Sequence, residues 1–328
     1  MTYLATMALL LTATLAGCGR EPLPQAGNTI RFSVAADYGL SVRTKAELVD
    51  LAGMQGGTLG AIKLYGSMAG VTEPVFDGAS LSYADSKWSY GSVKYWIQNG
   101  VYDFRAVFLS TTASVTAGSS AEVKVNYSMA SDNYDLMVAS KTAVSANTQA
   151  ASGNPDVELA FQHACTAVRF LFKESDNNND YYLKSMTLQG VNTSGTMTYN
   201  STLAWSDYGT TAASLWSDSW KIAPTATEEY TGPGDGWHIL PPQTSLNNAK
   251  LVVTYTVGNA DGAQILPVTI PLKYVNDTNS DKSVTTWDRA KTYTYKIELQ
   301  ANAIGFTVEW TDWADQGENI FDPIWVSE

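Results

Sequence analysis

Few side chains in this sequence combine the type and spacing that chemistry requires, and the most telling is a cysteine near the N-terminus. Leu15-Ala16-Gly17-Cys18 closes an apolar run from Leu4 to Leu15. That run is too short to cross a bilayer, which takes about 20 residues. An apolar core ending in small residues is the pattern of a secretory signal, and a cysteine directly after Leu-Ala-Gly matches a bacterial lipobox. The pattern implies cleavage between Gly17 and Cys18 and a thioether from the Cys18 sulfur to diacylglycerol. A further acyl chain, such as palmitate, would cap the new N-terminus. Two or three acyl chains hold a protein at a membrane where one would not. The expected mature chain is exported and lipid-anchored.

The rest of the sequence is poor in catalytic types. His163 and His238 are its two histidines, so a metal site built from several imidazoles is excluded. The sequence contains no Gly-x-Ser-x-Gly elbow, His-Glu-x-x-His pair or phosphate-binding glycine loop. His163 beside Phe161 and His238 between Trp237 and Ile239 read as structural residues of apolar strands. With Cys18 acylated, Cys165 stands alone in an apolar stretch and is expected to be packed rather than reactive. No enzyme, cofactor or metal is expected.

Two acidic loops and the tryptophans offer weaker signals. Asp176 to Asp180 and Asp277 to Asp281 place oxygen side chains at alternate positions, as calcium loops do. Tyr181 and Lys282 take the position where such a loop needs glycine, so both read as solvated turns. The sequence has ten tryptophans, and those at 216, 220 and 237 could stack on a sugar or simply fill a core.

These residues need a scaffold, and composition says which. Of 328 residues, 45% are apolar and only 16% charged, enough to build real cores. A net charge of −12 argues against a nucleic-acid partner. Ile30, Phe32, Val34 and Ala36 alternate with polar neighbours, the period of a half-buried strand. The alternation returns at Val93-Tyr95-Ile97, Tyr102 to Phe108, Leu251 to Val257, Tyr293 to Leu299 and Ile304 to Trp310. Gly, Asn, Asp and Ser clusters separate these runs. A capping-box spacing, Thr44 with Glu47, predicts two helical turns over Thr44 to Leu51. The predicted class is all-β, with two tandem antiparallel β-sandwich domains and few short helices. The expected order is a signal at 1–17, a tether at 18–29, an N-terminal sandwich at 30–150 and a C-terminal sandwich at 151–328. Within the last, a Trp-rich insertion is expected near 206–242 and a tail at 314–328.

The order of several segments resembles a known family. They are the lipobox, Ile30-Arg31-Phe32-Ser33-Val34, the Arg43 region, Val157 to Ala164, Leu183 to Val191, Leu240-Pro241-Pro242-Gln243-Thr244, Lys291-Thr292-Tyr293-Thr294-Tyr295 and Phe306 to Trp310. Together they resemble the fimbrillin family of Bacteroidota, the type V pilins and their relatives. The resemblance implies transthyretin-like sandwiches and an outer-membrane lipoprotein precursor displayed at the cell surface. It further implies that an arginine-specific protease removes the first strand, so that the open groove accepts a strand from another fimbrial subunit. Arg43 then becomes the expected cleavage site, with Thr44 as the new N-terminus, because it follows the first strand in a loop-like stretch. Ile30, Phe32 and Val34 would be the strand given up, and Ile320 and Ile324 part of a donor tail. The alternative is a surface lipoprotein that binds a glycan or host ligand without polymerising.

Overall fold

Alternating aliphatic and aromatic residues, many β-branched, place most of the chain in strands. The computed structural model describes residues 28–36, 51–57, 59–109, 113–130, 134–174, 179–222, 230–233, 236–258, 265–275, 283–299, 303–312 and 324–327. The first half carries β1 (Phe32–Ala36), α1 (Leu51–Gly56), β2 (Ala61–Met68), β3 (Phe76–Ala84), β4 (Lys87–Tyr90), β5 (Val101–Leu109), β6 (Val115–Gly118), β7 (Val123–Ser128), β8 (Met137–Ser145), α2 (Ala146–Ala151) and β9 (Val157–His163). The second half begins with β10 (Thr166–Glu174), β11 (Tyr181–Gln189), β12 (Ser194–Tyr199), β13 (Leu203–Gly209), β14 (Ala213–Trp216), β15 (Trp220–Lys221) and β16 (His238–Leu240). It ends with β17 (Lys250–Val257), β18 (Ile265–Pro271), β19 (Lys291–Leu299), β20 (Ala303–Asp312) and β21 (Ile324–Ser327).

The described strands form four sheets of an all-β sandwich architecture. One has seven strands in the order β1, β9, β8, β5, β2, β3, β4, and a four-stranded sheet runs β13, β12, β7, β6. The other two have five strands each, in the orders β16, β10, β19, β20, β21 and β14, β11, β17, β18, with β15 also paired to β11. Pairing is antiparallel except for β1 with β9 and β10 with β19, which are parallel.

Three cores lie between these layers. One face of the seven-stranded sheet encloses Ile30, Phe32, Phe76, Phe104, Phe108, Leu159 and Phe161. Its other face meets the four-stranded sheet through Val107, Val138, Val125, Tyr127, Met197 and Tyr199. The two five-stranded sheets pack Phe170, Phe172, Leu183, Tyr255, Tyr295 and Phe306 between them. Strand β5 is buried on both faces, which explains its unbroken apolar run Ala106-Val107-Phe108-Leu109.

Several details differ from the alternation pattern. Val93, Tyr95 and Ile97 are exposed, and the buried residue of that segment is Trp96, 8% accessible. The segment is held by an isolated bridge between Thr29 and Tyr95, so strand parity does not govern it. Helix α2 occupies the expected boundary between domains; Ser145 caps it, accepting a bond from the Thr148 amide. The predicted division at 150/151 runs through α2, and pairing crosses it: β9 joins β8 and β1, and β7 joins β12. Of the helix expected at Thr44 to Leu51, only Leu51 is described, as the first residue of α1.

Turn chemistry contributes at specific points. Gly190 ends β11 at φ +72, and a Cβ there would lie 1.9 Å from the Asn248 carbonyl oxygen. Gly190→Ala therefore combines left-handed strain with a backbone clash and should cost about 2 kcal/mol or more, read as a lowered denaturant midpoint with unchanged slope.

Candidate functional site

Strand β1 is short, apolar on one face and at the end of its sheet, and most of the local polar network serves to hold it. Its register against β9 runs from Phe32 opposite Val157 to Ala36 opposite Phe161. Just before it, the Ile30 amide donates to the Lys94 carbonyl and the Trp96 amide to the Asn28 carbonyl, both at 2.9 Å. The chain entering β1 is thus paired to the 94–96 segment, and β1 itself to β9. Ile30, Phe32 and Val34 are 1%, 2% and 8% accessible. The Phe32 ring stands edge-on to Phe104 at 5.1 Å, Phe76 at 5.6 Å and Tyr90 at 5.9 Å. Because Tyr90 belongs to β4, at the far end of the sheet, these contacts close the curled sheet on itself. The Tyr90 hydroxyl adds a hydrogen bond to the Ile30 carbonyl.

Asn154 organises the polar side of the seat. At φ +56 it turns the chain into β9. Its side-chain amide donates to the Thr29 carbonyl at 3.0 Å and its side-chain oxygen accepts from the Trp96 indole at 2.8 Å. Its backbone carbonyl accepts from the Arg31 guanidinium. Arg31 also pairs with Asp156 at 2.9 Å, but both side chains are about half exposed, so the pair adds little. In the sequence Asn154-Pro155 reads only as a turn; its role in fixing β1 depends on Thr29, Arg31 and Trp96 arriving from elsewhere.

The predicted donor tail is placed apart from this seat. β21 pairs antiparallel with β20, Phe306 opposite Ile324 and Ile304 opposite Val326. Ile324 therefore extends a five-stranded sheet of its own chain, a different sheet from the one that holds Ile30, Phe32 and Val34. Gly17, Cys18, Arg43, Thr44 and Ile320 lie outside the described residues, as do the 18–27 part of the tether and Trp313.

Other chemistry-bearing residues are built into the cores. His163 Nδ1 lies 2.5 Å from Asp135 Oδ2, with both side chains fully buried. Sequence reading missed this partner, which is 28 residues away and carries no motif. Burial pushes the Cys165 thiol well above its usual range, so it stays protonated. Trp237 is 1% accessible with Arg169 stacked 4.4 Å from its ring centre, and Trp216 and Trp220 pack half-buried on the C-terminal core. These three indoles are packing residues rather than a stacking platform. Asp180 pairs with Lys221 at 2.9 Å; Asp176, Asn177, Asn178 and the 277–281 loop lie outside the described residues. Among the described residues, no three His, Cys, Asp or Glu side chains gather as a metal site. No helix among them is long and apolar enough to cross a membrane.

The protein family model described as fimbrillin-like matches residues 54–313. No curated protein sequence matches the chain. Among solved structures, the chain is similar to a candidate cell adhesion protein from Bacteroides uniformis, at 14% identity and a TM-score of 0.52, over 87% of this chain and 98% of that one. It is equally similar to a second from Bacteroides ovatus, at 15% identity and a TM-score of 0.52, over 88% and 99%. At such identity the likeness extends to the fold.

The packing of Phe32 and the desolvation of the half-buried His238 should each affect stability. Phe32→Ala removes a ring from three aromatic contacts and should lower stability by about 3–5 kcal/mol, measured by denaturant titration. His238, held by desolvation down to about 4, is neutral in the fold at ordinary pH. The unfolded chain takes up that proton below about 6.5, so the stabilisation is complete above that pH and is lost as pH falls through about 4. His238→Gln should flatten the loss of melting temperature between those two values.

Proposed function

The chain belongs to the fimbrillin-like family, and from that premise we propose that it is a structural or accessory subunit of a surface fimbrium assembled by strand exchange. As a member of that family it is a fimbrial or cell adhesion protein of the cell surface. The observation that carries the finer reading is the seat of β1. Ile30, Phe32 and Val34 complete an aromatic core from the end of a sheet, and each is worth about 1.5–3 kcal/mol of burial. Losing all three forfeits a large share of the roughly 5–15 kcal/mol that keeps a domain folded. It also bares the backbone edge of β9. A subunit without its first strand therefore has a strong drive to accept another strand of the same alternation.

In this reading the precursor is exported as a lipoprotein, acylated on Cys18 after cleavage at Gly17, and carried to the outer membrane. An arginine-specific protease cuts after Arg43, leaving Thr44 as the N-terminus. Residues 18–43 are then held only by non-covalent contacts and can be exchanged. The donor is the tail at 314–328 of another subunit, including Ile320 and Ile324. Because β21 pairs with β20 of its own chain, donation requires that pairing to open first. In this scheme the acceptor is the seven-stranded sheet at its β9 edge, and the donor is the C-terminal tail.

N-terminal sequencing, mass spectrometry and electron microscopy of protein from intact cells test this scheme. Wild-type protein should begin at Thr44 and appear in polymers, whereas Arg43→Ala should retain acylated Cys18 and remain monomeric. Polymers formed by Arg43→Ala after treatment with an arginine-specific protease would refute it.

A further inference from the structure

An open cleft of about 520 Å³ lies where the two halves of the chain meet, and it shares no residue with those assigned above to strand exchange. Its walls are the end of β7 at Ser128 and Met129, the entry to β12 at Thr193 and Ser194, and the run from Thr211 into β14. His238 of β16 completes the lining. The wall is built rather than incidental. The Thr193 hydroxyl donates within reach of the Gly209 carbonyl at 3.3 Å and the Thr211 carbonyl at 3.1 Å, and the Thr193 amide donates to Gly209 at 2.8 Å. These bonds fix the turn between β13 and β14 against the start of β12.

The chemistry of the lining narrows what could occupy it. Among the described residues of the lining there is no Asp, Glu, Lys or Arg, and His238 is neutral at ordinary pH. A charged ligand would lose its hydration without gaining a counter-charge. The hydroxyls of Ser194, Thr211 and Ser214 are not hydrogen-bonded to any described residue, so a purely apolar ligand would strand them. Met129, Ala213 and Leu215 add an apolar wall beside the hydroxyls. Matching both requires a neutral molecule with many hydroxyls and C–H faces. Small-ligand pockets run from about 300 to 1,000 Å³, and this volume suits one or two sugar rings.

We propose that this cleft is a binding site for a neutral saccharide of one or two hexose units. The site shares no residue with the β1 seat, so it operates whether or not the protein polymerises. None of the three packed tryptophans lines it, which leaves hydroxyls and aliphatic groups, rather than an aromatic platform, to hold the sugar.

Saturation-transfer NMR on the full chain, with glucose, galactose, maltose and lactose as probes, tests the proposal. Glucose 6-phosphate, N-acetylneuraminate and an uncharged extended peptide serve as comparators. At least one neutral sugar should receive saturation and shift the imidazole signals of His238 but not those of His163, the only other histidine. Ser214→Trp and Ala212→Trp change exposed positions and fill the cleft. Each should weaken binding by at least about tenfold with an unchanged melting temperature. The proposal is overturned if no neutral sugar binds, if the charged sugars bind as well as the neutral ones, if only the peptide binds, or if both tryptophan variants bind like the parent.

Discussion

The burial of one aromatic ring, Phe32, is the contact on which the N-terminal half depends. A seven-stranded sheet that curls has two edges to manage, and here its terminal strands are brought together by side chains. Phe32 of β1 meets Tyr90 of β4, and both meet Phe76, 4.8 Å from Tyr90. Hydrogen bonding reinforces the closure through the Tyr90 hydroxyl on Ile30 and through Asn154 on Thr29. A strand at the end of the sheet is thus the one whose side chains finish the core. That combination makes β1 both necessary to the fold and separable from it, since its backbone is paired along one side to a single strand, β9.

A second constraint joins the halves of the chain. β7 and β12, one from each half, pair over six positions and share a core with the outer face of the seven-stranded sheet. Arg105 of β5, 2% accessible, sends its guanidinium to the carbonyls of Ser120 and Asn200, one in the turn before β7 and one in the turn after β12. Its head also lies 5.3 Å from the Tyr199 ring centre. A buried guanidinium is costly unless its donors are met, and the two terminal nitrogens meet these carbonyls while Nε has no partner among the described residues, so the two turns are tied to the sheet. The His163–Asp135 pair ties the entry to β8 to the end of β9 in the same way. The β1 seat and the saccharide cleft therefore sit on a framework that strand exchange need not disturb.

Much of this was legible along the chain because strand alternation is a local property. Ile30 to Val34, Leu251 to Tyr255, Tyr293 to Leu299 and Ile304 to Val308 bury the faces that the alternation indicated. The failures share a cause. At Val93 to Ile97 the segment is anchored by a single bridge and by the Trp96 indole on Asn154, partners that are remote in sequence, and Trp96 is the residue that it buries. The Ala146–Ala151 helix has few long side chains, and it exists because Ser145 caps it and the Ala146 amide donates to the Gly100 carbonyl. Apart from the cap, these partners are remote in sequence from the residues whose fate they decide.

By itself the sequence determined the features that short-range chemistry dictates: an all-β chain, strands where apolar residues alternate, turns where Gly, Asn and Asp cluster, and a first strand with one apolar face. It also carries, in order, the segments of the fimbrillin-like family. Tertiary structure decided which strands become neighbours. It placed β1 parallel to β9 rather than in a hairpin, put β9 in the sheet of the first half, and paired β21 with its own β20. It also packed Trp237 into a core, laid Trp216 and Trp220 half-buried against another, and left the hydroxyl-lined cleft open between the halves. The physical reason is that pairing energy and burial depend on surfaces far apart in the chain, 125 residues in the case of Asn154 and Thr29. A local pattern states only that a residue needs a buried face, not which surface will cover it.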